Sequence, residues 1–321
     1  VNDLRCPACG REAATGVTYP YRCLCGGLWS AAGGAYRDLL AEARRVPTPL
    51  WRDPQRPDVV WKREDLGPTG SFKDRGAAVL IGLAASVGAR NLIVDSSGSA
   101  ALAAASACAR HGLALTVHTP EGLSTGKRDA LECLGATLVA EGTREAASQR
   151  ARDAAHRVFY ASHVYHPAFH AGTAEAAGEA LDQLGSEVPA LWVLPVGNGS
   201  LLLGVAAALH RGGRAGVRVV AVQAAACPGL RKPGAGGTTR ASGIGIADPP
   251  RRAALLQALE RMHGEVVEVS EEAIGEAVTG LGRRGVCAEP AAAAAAAGLD
   301  LLRARGETAA ALVWITGSGY R

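Results

Sequence analysis

Pro68-Thr69-Gly70-Ser71-Phe72-Lys73-Asp74-Arg75-Gly76 decides how the rest of this chain is read. Pro68 and Gly70 mark a turn, and the residues after them start a helix, so Lys73 stands at the junction. Taken alone, Lys73 would be a solvated surface lysine, as most lysines are. A lysine held at such a junction has a second use. Its amine adds to carbonyl carbon, and its pKa falls on burial, which suits covalent and proton-transfer chemistry.

Outward from this segment, short apolar strands alternate with helices. Residues 91–94 read as a strand, 100–111 as a helix, 113–118 as a strand, 127–134 as a helix and 136–140 as a strand. The rhythm returns with strands at 190–195, 217–223 and 310–315, and a helix running to about His210. Such alternation argues for parallel sheets with helices on both faces. Two series separated by a break near residues 160–172 make two α/β domains. Ahead of them lie a glycine-rich leader over residues 1–35 and a short helix at 36–45. A proline-rich connector follows, through Pro47, Pro49, Pro54 and Pro57. The tract 291–297, all alanine, reads as a close-packed helix.

Composition excludes several functions. The 34 basic residues are scattered among 30 acidic ones, and the net charge is only +4, so no nucleic-acid footprint is expected. Aromatics are 4%, too few for a base-stacking surface. No stretch of about 18 apolar residues lacks a charge or turn signal, so no membrane span is expected. No apolar signal segment opens the chain, and a cytoplasmic location is the expectation. Four of the eight cysteines, Cys6, Cys9, Cys23 and Cys25, crowd the leader. That layout suits a local metal site with reduced, mostly buried thiols elsewhere, not a secreted disulfide framework.

Two glycine-bearing turns complete the motif set. Val196-Gly197-Asn198-Gly199-Ser200-Leu201 joins a strand to a helix. Such a turn presents backbone N–H groups and the positive end of a helix to a phosphate, although an ordinary strand-to-helix turn looks the same. Thr316-Gly317-Ser318-Gly319 follows the last strand and could equally be a terminal loop.

Together these segments resemble the fold type II pyridoxal-phosphate enzymes, the group containing threonine synthase, threonine dehydratase and cysteine synthase. The lysine segment matches every fixed position of the P-T-x-S-F-K-D-R form common in threonine synthases. The resemblance runs from Cys6 to Gly319 and implies a cofactor, pyridoxal 5'-phosphate, with Lys73 as Schiff-base lysine and proton carrier. It implies Phe72, Ser99, Gly197, Asn198, Gly199, Ser200, Leu201 and Thr316 as further cofactor contacts, with Gly197 to Leu201 on the phosphate and Thr316 at the ring nitrogen. A hydroxyl partner leaves that nitrogen largely unprotonated, which favours elimination and replacement over transamination. The substrate carboxylate is expected on Ser96, Ser97, Gly98, Ser99 and Ala100.

Three departures bear on substrate. Ser99 stands where the family has an asparagine facing the cofactor's phenolic oxygen, and Ala100 where threonine synthases have threonine or serine. Phe169, within His166-Pro167-Ala168-Phe169-His170-Ala171-Gly172, replaces the arginine that binds the phosphate of phosphohomoserine. An apolar ring cannot pair with a phosphate dianion; His163, His166 and His170 are the nearby candidates to compensate. Cys287, before Ala288-Glu289-Pro290, stands in place of a glycine.

The expected architecture is therefore a zinc-ribbon-like leader (1–35), a large cofactor-binding domain (36–76 and 166–321) and a small mobile domain (77–165), the latter two as three-layer α/β units. The leader cysteines are spaced C-x2-C, thirteen residues, then C-x-C, and are expected to hold a structural zinc ion; four reduced thiols around a degenerate ribbon are the alternative. The leader itself is expected to lie outside the cofactor cleft. The expected partner is a small-molecule amino-acid substrate, and the expected assembly a homodimer. The expected activity is that of a threonine synthase or close relative. The alternatives are a β-replacement synthase or dehydratase acting on serine, threonine or phosphoserine, and a non-catalytic ligand-binding protein.

Overall fold

In the computed structural model, described over residues 2–32, 34–44, 46–96, 98–140 and 142–320, apolar runs become buried strands. The leader contributes β1 (Leu4–Arg5), β2 (Glu12–Ala13) and β3 (Ser30–Ala31), and α1 (Leu40–Ala43) follows. Next come β4 (Leu50–Asp53), β5 (Arg56–Arg63), α2 (Lys73–Ser86), β6 (Asn91–Asp95), α3 (Ser99–His111) and β7 (Ala114–Thr119). The chain continues through α4 (Thr125–Cys133), β8 (Thr137–Ala140), α5 (Arg144–Ala154), β9 (Phe159–Tyr160) and α6 (Pro167–Leu184). The remainder is β10 (Leu191–Pro195), α7 (Ser200–Arg211), β11 (Arg218–Ala224), α8 (Arg252–Arg261), β12 (Glu265–Val269), α9 (Glu271–Gly282), α10 (Pro290–Ala304) and β13 (Ala311–Ile315).

The chain divides into two units. The first gathers residues 1–45 and 73–175, the second residues 46–72 and 176–320. The chain therefore crosses between the units after residues 45, 72 and 175, the last of these within α6. In the first unit β8, β7, β6 and β9 form an all-parallel sheet in that order, and the leader strands form a separate antiparallel sheet, β2-β1-β3. Instead of standing as a separate body, the leader puts Leu4, Cys6, Tyr19, Cys23 and Trp29 into the core that holds Val79, Leu80, Phe159 and Phe169. A 35-residue leader with strands of two residues has little core of its own, so its aromatics are buried against a neighbour.

The second unit holds a six-stranded sheet in the order β12-β11-β10-β13-β5-β4. All pairs are parallel except β4 with β5. Its strands alternate between two cores. Val59, Trp61, Leu191, Val193, Val313 and Ile315 face α9 and α10, while Val60, Trp192, Leu194, Leu312 and Trp314 share the other core with residues of α6, α7 and α8. Both faces are covered, so β10 and β13 read as unbroken apolar runs.

The proline-rich connector is a correction to the sequence reading, because it folds as the β4–β5 hairpin. Pro57 is accommodated at an irregularity: Arg52 pairs with Val60 but Asp53 pairs with Arg56, so Pro57 is not needed as a ladder donor. β4 is an edge strand, where such a break is tolerated. Of the scattered cysteines, Cys108 and Cys227 are buried, Cys287 is half-buried and Cys133 is exposed, against the expectation of burial. No helix among the described residues is long and apolar enough to cross a membrane.

One buried charge cluster pins the hairpin to α6. The Lys62 ammonium, fully buried, donates to Glu179 Oε1 (2.5 Å), the Thr48 carbonyl (2.7 Å) and Gln183 Oε1 (3.2 Å). Glu179 also accepts from the Thr48 backbone N–H at 2.9 Å. A second buried carboxylate, Glu64, stands 3.8 Å from the same ammonium, so removing Glu179 takes away the closer of two counter-charges and leaves the lysine buried on the weaker one. Glu179→Ala should therefore cost about 3–5 kcal/mol in a urea unfolding curve. A loss below about 1 kcal/mol, the range of an exposed pair, would show that water reaches Lys62.

Candidate active site

The second unit assembles three of the sequence motifs at one edge of its sheet. β10 and β13 are parallel neighbours, with Leu191 opposite Ala311 and Val193 opposite Val313. Chain order reverses here: β11 and β12 lie to one side of β10, β13 and β5 to the other. In open α/β sheets the crevice at such a switch point, beyond the carboxyl ends of the strands, is where ligands bind. The turn at 196–199 leaves β10 at this edge, and the loop at 316–319 leaves β13 beside it.

Backbone hydrogen bonds tie the lysine segment to the same edge. The Phe72 N–H donates to the Thr316 carbonyl (3.1 Å), and the Ser318 N–H donates to the Gly70 carbonyl (2.9 Å). Ser71 and Gly317 form an antiparallel bridge between them. On its other side the 316–319 loop meets the glutamate-proline turn: the Glu289 N–H donates to the Gly317 carbonyl (3.0 Å) and the Gly319 N–H to the Cys287 carbonyl (2.8 Å). Phe72 and Thr316 are thus brought together, and Lys73 follows Phe72 as the first residue of α2.

The turn before α7 is shaped by what its glycines lack. Gly199, just ahead of α7, has φ +81°, and a Cβ there would lie 2.2 Å from Leu255. A Cβ on Gly197 would lie 2.9 Å from the Gly243 carbonyl oxygen and 3.0 Å from Ile244 Cα. The turn opens directly into the N-terminus of the 12-residue α7, whose first N–H groups lie ahead of the intrahelical ladder. The loop carrying Gly243, Ile244 and Ile246 forms the other wall of this turn. It is absent from the motifs read in the sequence; the alternation Gly243-Ile244-Gly245-Ile246, apolar residues among glycines in a loop, is the signal that could have found it.

The first unit carries the remaining residues. Ser96 and Gly98 lie in the loop between β6 and α3, Ser99 begins α3, and Ala100 is buried in its first turn; Ser97 lies outside the described residues. The loop is braced locally, since Ser96 Oγ accepts from the Gly98 N–H (3.2 Å). Asp95 anchors its base. It accepts from Ser148 Oγ (2.5 Å) and Tyr160 Oη (2.6 Å), and burial pushes its pKa up against those hydrogen bonds.

Phe169 is buried and lies on the Lys73 helix. A Cβ on Gly76 would come 2.5 Å from the Phe169 ring, and one on Gly172 would come 2.2 Å from the Arg75 carbonyl oxygen. Only glycine at both positions allows α6 and α2 this approach. His163 sits beside Phe169, with ring centroids 5.9 Å apart. Its Nδ1 is buried without a hydrogen-bond partner among the described residues. Burial pushes its pKa down to about 3, with the charges of Lys73 and Arg144 acting in the same direction.

The four leader cysteines converge. Their Sγ atoms all lie within 4.8 Å of one another, with Cys6 to Cys25 and Cys9 to Cys23 both at 3.6 Å. Tetrahedral thiolates about 2.3 Å from a metal stand just under 4 Å apart, so this donor set fits one tetrahedral ion. A separate cavity of about 440 Å³ in the second unit, lined by Trp61, Ala277, Leu281, Arg284 and Ala297, contains none of the motif residues.

Comparison with known proteins agrees with this geometry. Residues 42–317 match the family described as pyridoxal-phosphate dependent enzymes, and the chain belongs to that family. It is 30% identical to the threonine synthase of Bacillus sp. (strain ULM1) over 279 residues, 81% of this chain and 77% of that one. It is 34% identical to the mouse serine dehydratase-like protein over 168 residues, 51% of each chain. The solved structure of the T.th. threonine deaminase superposes with a TM-score of 0.73 at 28% identity, covering 89% of this chain and 98% of that one. The α/β fold with parallel sheets is that of the fold type II enzymes.

The residues present fit the cofactor. A turn that Gly197 and Gly199 keep open precedes a helix N-terminus, as a phosphate requires. Ser71 Oγ, buried beside the 316–319 loop, has no hydrogen-bond partner among the described residues.

The Gly76–Phe169 contact is directly testable. In an open helix Gly→Ala gains up to about 1 kcal/mol. Here overpacking costs roughly 1–3 kcal/mol and should win. Gly76→Ala should lower the denaturation midpoint, and Phe169→Leu in the same chain should recover part of the loss. Equal midpoints for wild type and Gly76→Ala would mean that the ring moves aside freely.

Proposed function

We propose that this chain eliminates or replaces a leaving group on an amino acid, with Lys73 carrying the cofactor, and that it prefers a hydroxyl leaving group to a phosphate. When bound, pyridoxal phosphate supplies the electron sink that makes the Cα proton removable. Lys73 Nζ anchors the cofactor and, once displaced by the substrate amine, serves as the base that takes and returns this proton. The turn 197–201 holds the phosphate group with backbone N–H groups. Thr316 offers its hydroxyl to the ring nitrogen, Ser99 faces the phenolic oxygen, and residues 96–100 hold the substrate carboxylate at the start of α3.

The observation that carries the hydroxyl preference is the placement of Phe169. Its ring is core packing against Gly76, so it leaves no cation at the position where threonine synthases have arginine. Two of the three nearby histidines do not replace it. Burial pushes the His163 pKa down to about 3, which favours the neutral ring. His166 is consumed within the fold, its Nδ1 accepting from the Ala168 N–H at 3.1 Å and its Nε2 bonded to Thr15 Oγ1 at 3.0 Å. A neutral imidazole suits a hydroxyl, which both donates and accepts, better than a dianion. The threonine synthase relatives favour a second reading, phosphohomoserine as substrate.

A substrate panel separates the two readings. Serine, threonine, phosphoserine, acetylserine and phosphohomoserine are compared by kcat/KM, scored for keto acid, phosphate or acetate. Losing a charge-assisted pair costs roughly 1.5–3 kcal/mol, so phosphohomoserine should trail the best hydroxy amino acid about ten- to a hundredfold. Efficient threonine formation from phosphohomoserine would establish the second reading instead. Borohydride reduction of the yellow holoenzyme, followed by peptide mapping, should place the cofactor on Lys73, and Lys73→Ala should abolish turnover. An adduct on another lysine overturns the assignment.

We also propose that Cys6, Cys9, Cys23 and Cys25 hold one structural zinc ion, for which the four converging thiols are the support. Elemental analysis should find about one zinc per chain, released in parallel with titration of four thiols by a mercurial. Metal-free protein in which all four leader thiols alkylate at once would refute it.

A further inference from the structure

The leader does more than bury its own aromatics. Thr15, buried at the leader's end of the first unit, meets His166 across 151 residues of sequence, with Oγ1 and Nε2 3.0 Å apart. The Ala168 N–H donates to the other ring nitrogen, Nδ1, so that nitrogen carries a lone pair. The proton of the neutral ring is then on Nε2, and Nε2–H donates to the Thr15 hydroxyl. Tyr19 packs edge-on to the same ring at 4.5 Å, and Tyr36 lies 6.0 Å away. The Tyr19 hydroxyl also donates to the Tyr160 carbonyl at 2.7 Å.

His166 immediately precedes α6 and closes its first turn twice, through Nδ1 to Ala168 and through its carbonyl to the Phe169 N–H at 3.2 Å. That first turn carries Phe169, seated on Gly76, and the next carries Gly172, seated on the Arg75 carbonyl. Arg75 and Gly76 belong to the first turn of α2, which opens at Lys73. An unbroken series of contacts thus runs from the leader through one imidazole and the start of α6 to the lysine helix.

We propose that Thr15, acting through His166, is a positioning residue for Lys73: the leader sets how α6 is seated on α2 and so where the Lys73 amine stands. The proposal rests on the reading that Lys73 carries the cofactor. It assigns a part in the chemistry to a segment expected to lie outside the cofactor cleft.

The test compares full-length holoenzyme with Thr15→Val, which keeps the shape and removes the hydroxyl, and Thr15→Ser, which restores it. The readouts are metal content, the pH titration of the bound cofactor's visible absorbance, and kcat and KM on the best panel substrate. Loss of one neutral hydrogen bond corresponds to about a two- to tenfold effect. In Thr15→Val the proton affinity reported by absorbance and the value of kcat/KM should each change by about that factor, with metal content unchanged, and Thr15→Ser should return both to wild type. A variant that melts earlier but keeps the wild-type titration and kinetics would reduce Thr15 to a structural staple and overturn the proposal. If Thr15→Val is insoluble, Thr15→Ala, which also removes the hydroxyl that His166 meets, takes its place and should move the same two readouts; no movement there is equally fatal. Failure of the underlying reading looks different, because reduced wild-type protein would then carry no adduct on Lys73.

Discussion

The approach of α6 to α2 is the constraint on which much else depends. Helices carrying ordinary side chains stand about 8–10 Å apart. Here a hydrogen in place of Cβ at Gly172 lets α6 rest on the Arg75 carbonyl, and the same economy at Gly76 admits the Phe169 ring. The contact falls on the first turn of α2, the turn that begins with Lys73. Because neither helix can slide without a steric collision, the lysine's backbone is located by packing and not by a flexible loop. Functional side chains supported in this way are held more closely than side chains on loops.

A second constraint acts from the chain side of the same residue. The segment ahead of Lys73 is bonded to the loop after β13, which is bonded in turn to the turn ahead of α10. Three stretches far apart in sequence are stitched through backbone groups, so side-chain identity there is free to serve chemistry. The glycine turn ahead of α7 completes the edge, its shape set by the loop bearing Gly243.

Much of this was legible beforehand. Strand and helix rhythm was read from periodicity, and β6, α3, β7, β10, β11 and β13 form within a few residues of the expected places. The lysine segment and the two glycine turns were legible because each needs unusual residues at fixed spacing. What stayed hidden depends on distant partners. Pro54 and Pro57 suggest a connector unless the edge position and the irregular register are known. Phe169 reads as a missing arginine; that it is also the side chain filling the space over Gly76 is a tertiary fact. Likewise nothing near Thr15 announces a partner at His166. The small size of the leader is a reason for it to lean on a neighbour, but does not say which neighbour.

The alanine tract of α10 has a consequence for how this chain can change over time. Positions 291–297 are compositionally the simplest in the sequence, and simplicity is commonly equated with freedom to drift. Every one of those seven alanines is buried, and the following Gly298 would place a Cβ 2.4 Å from Val222. A helix buried on all sides has no solvent face on which substitutions are neutral. Any larger residue adds volume to a close-packed interior, and any smaller one weakens the helix. The least information-rich stretch to the eye is therefore among the least substitutable, and related chains should keep small residues there even where their surfaces have diverged beyond recognition.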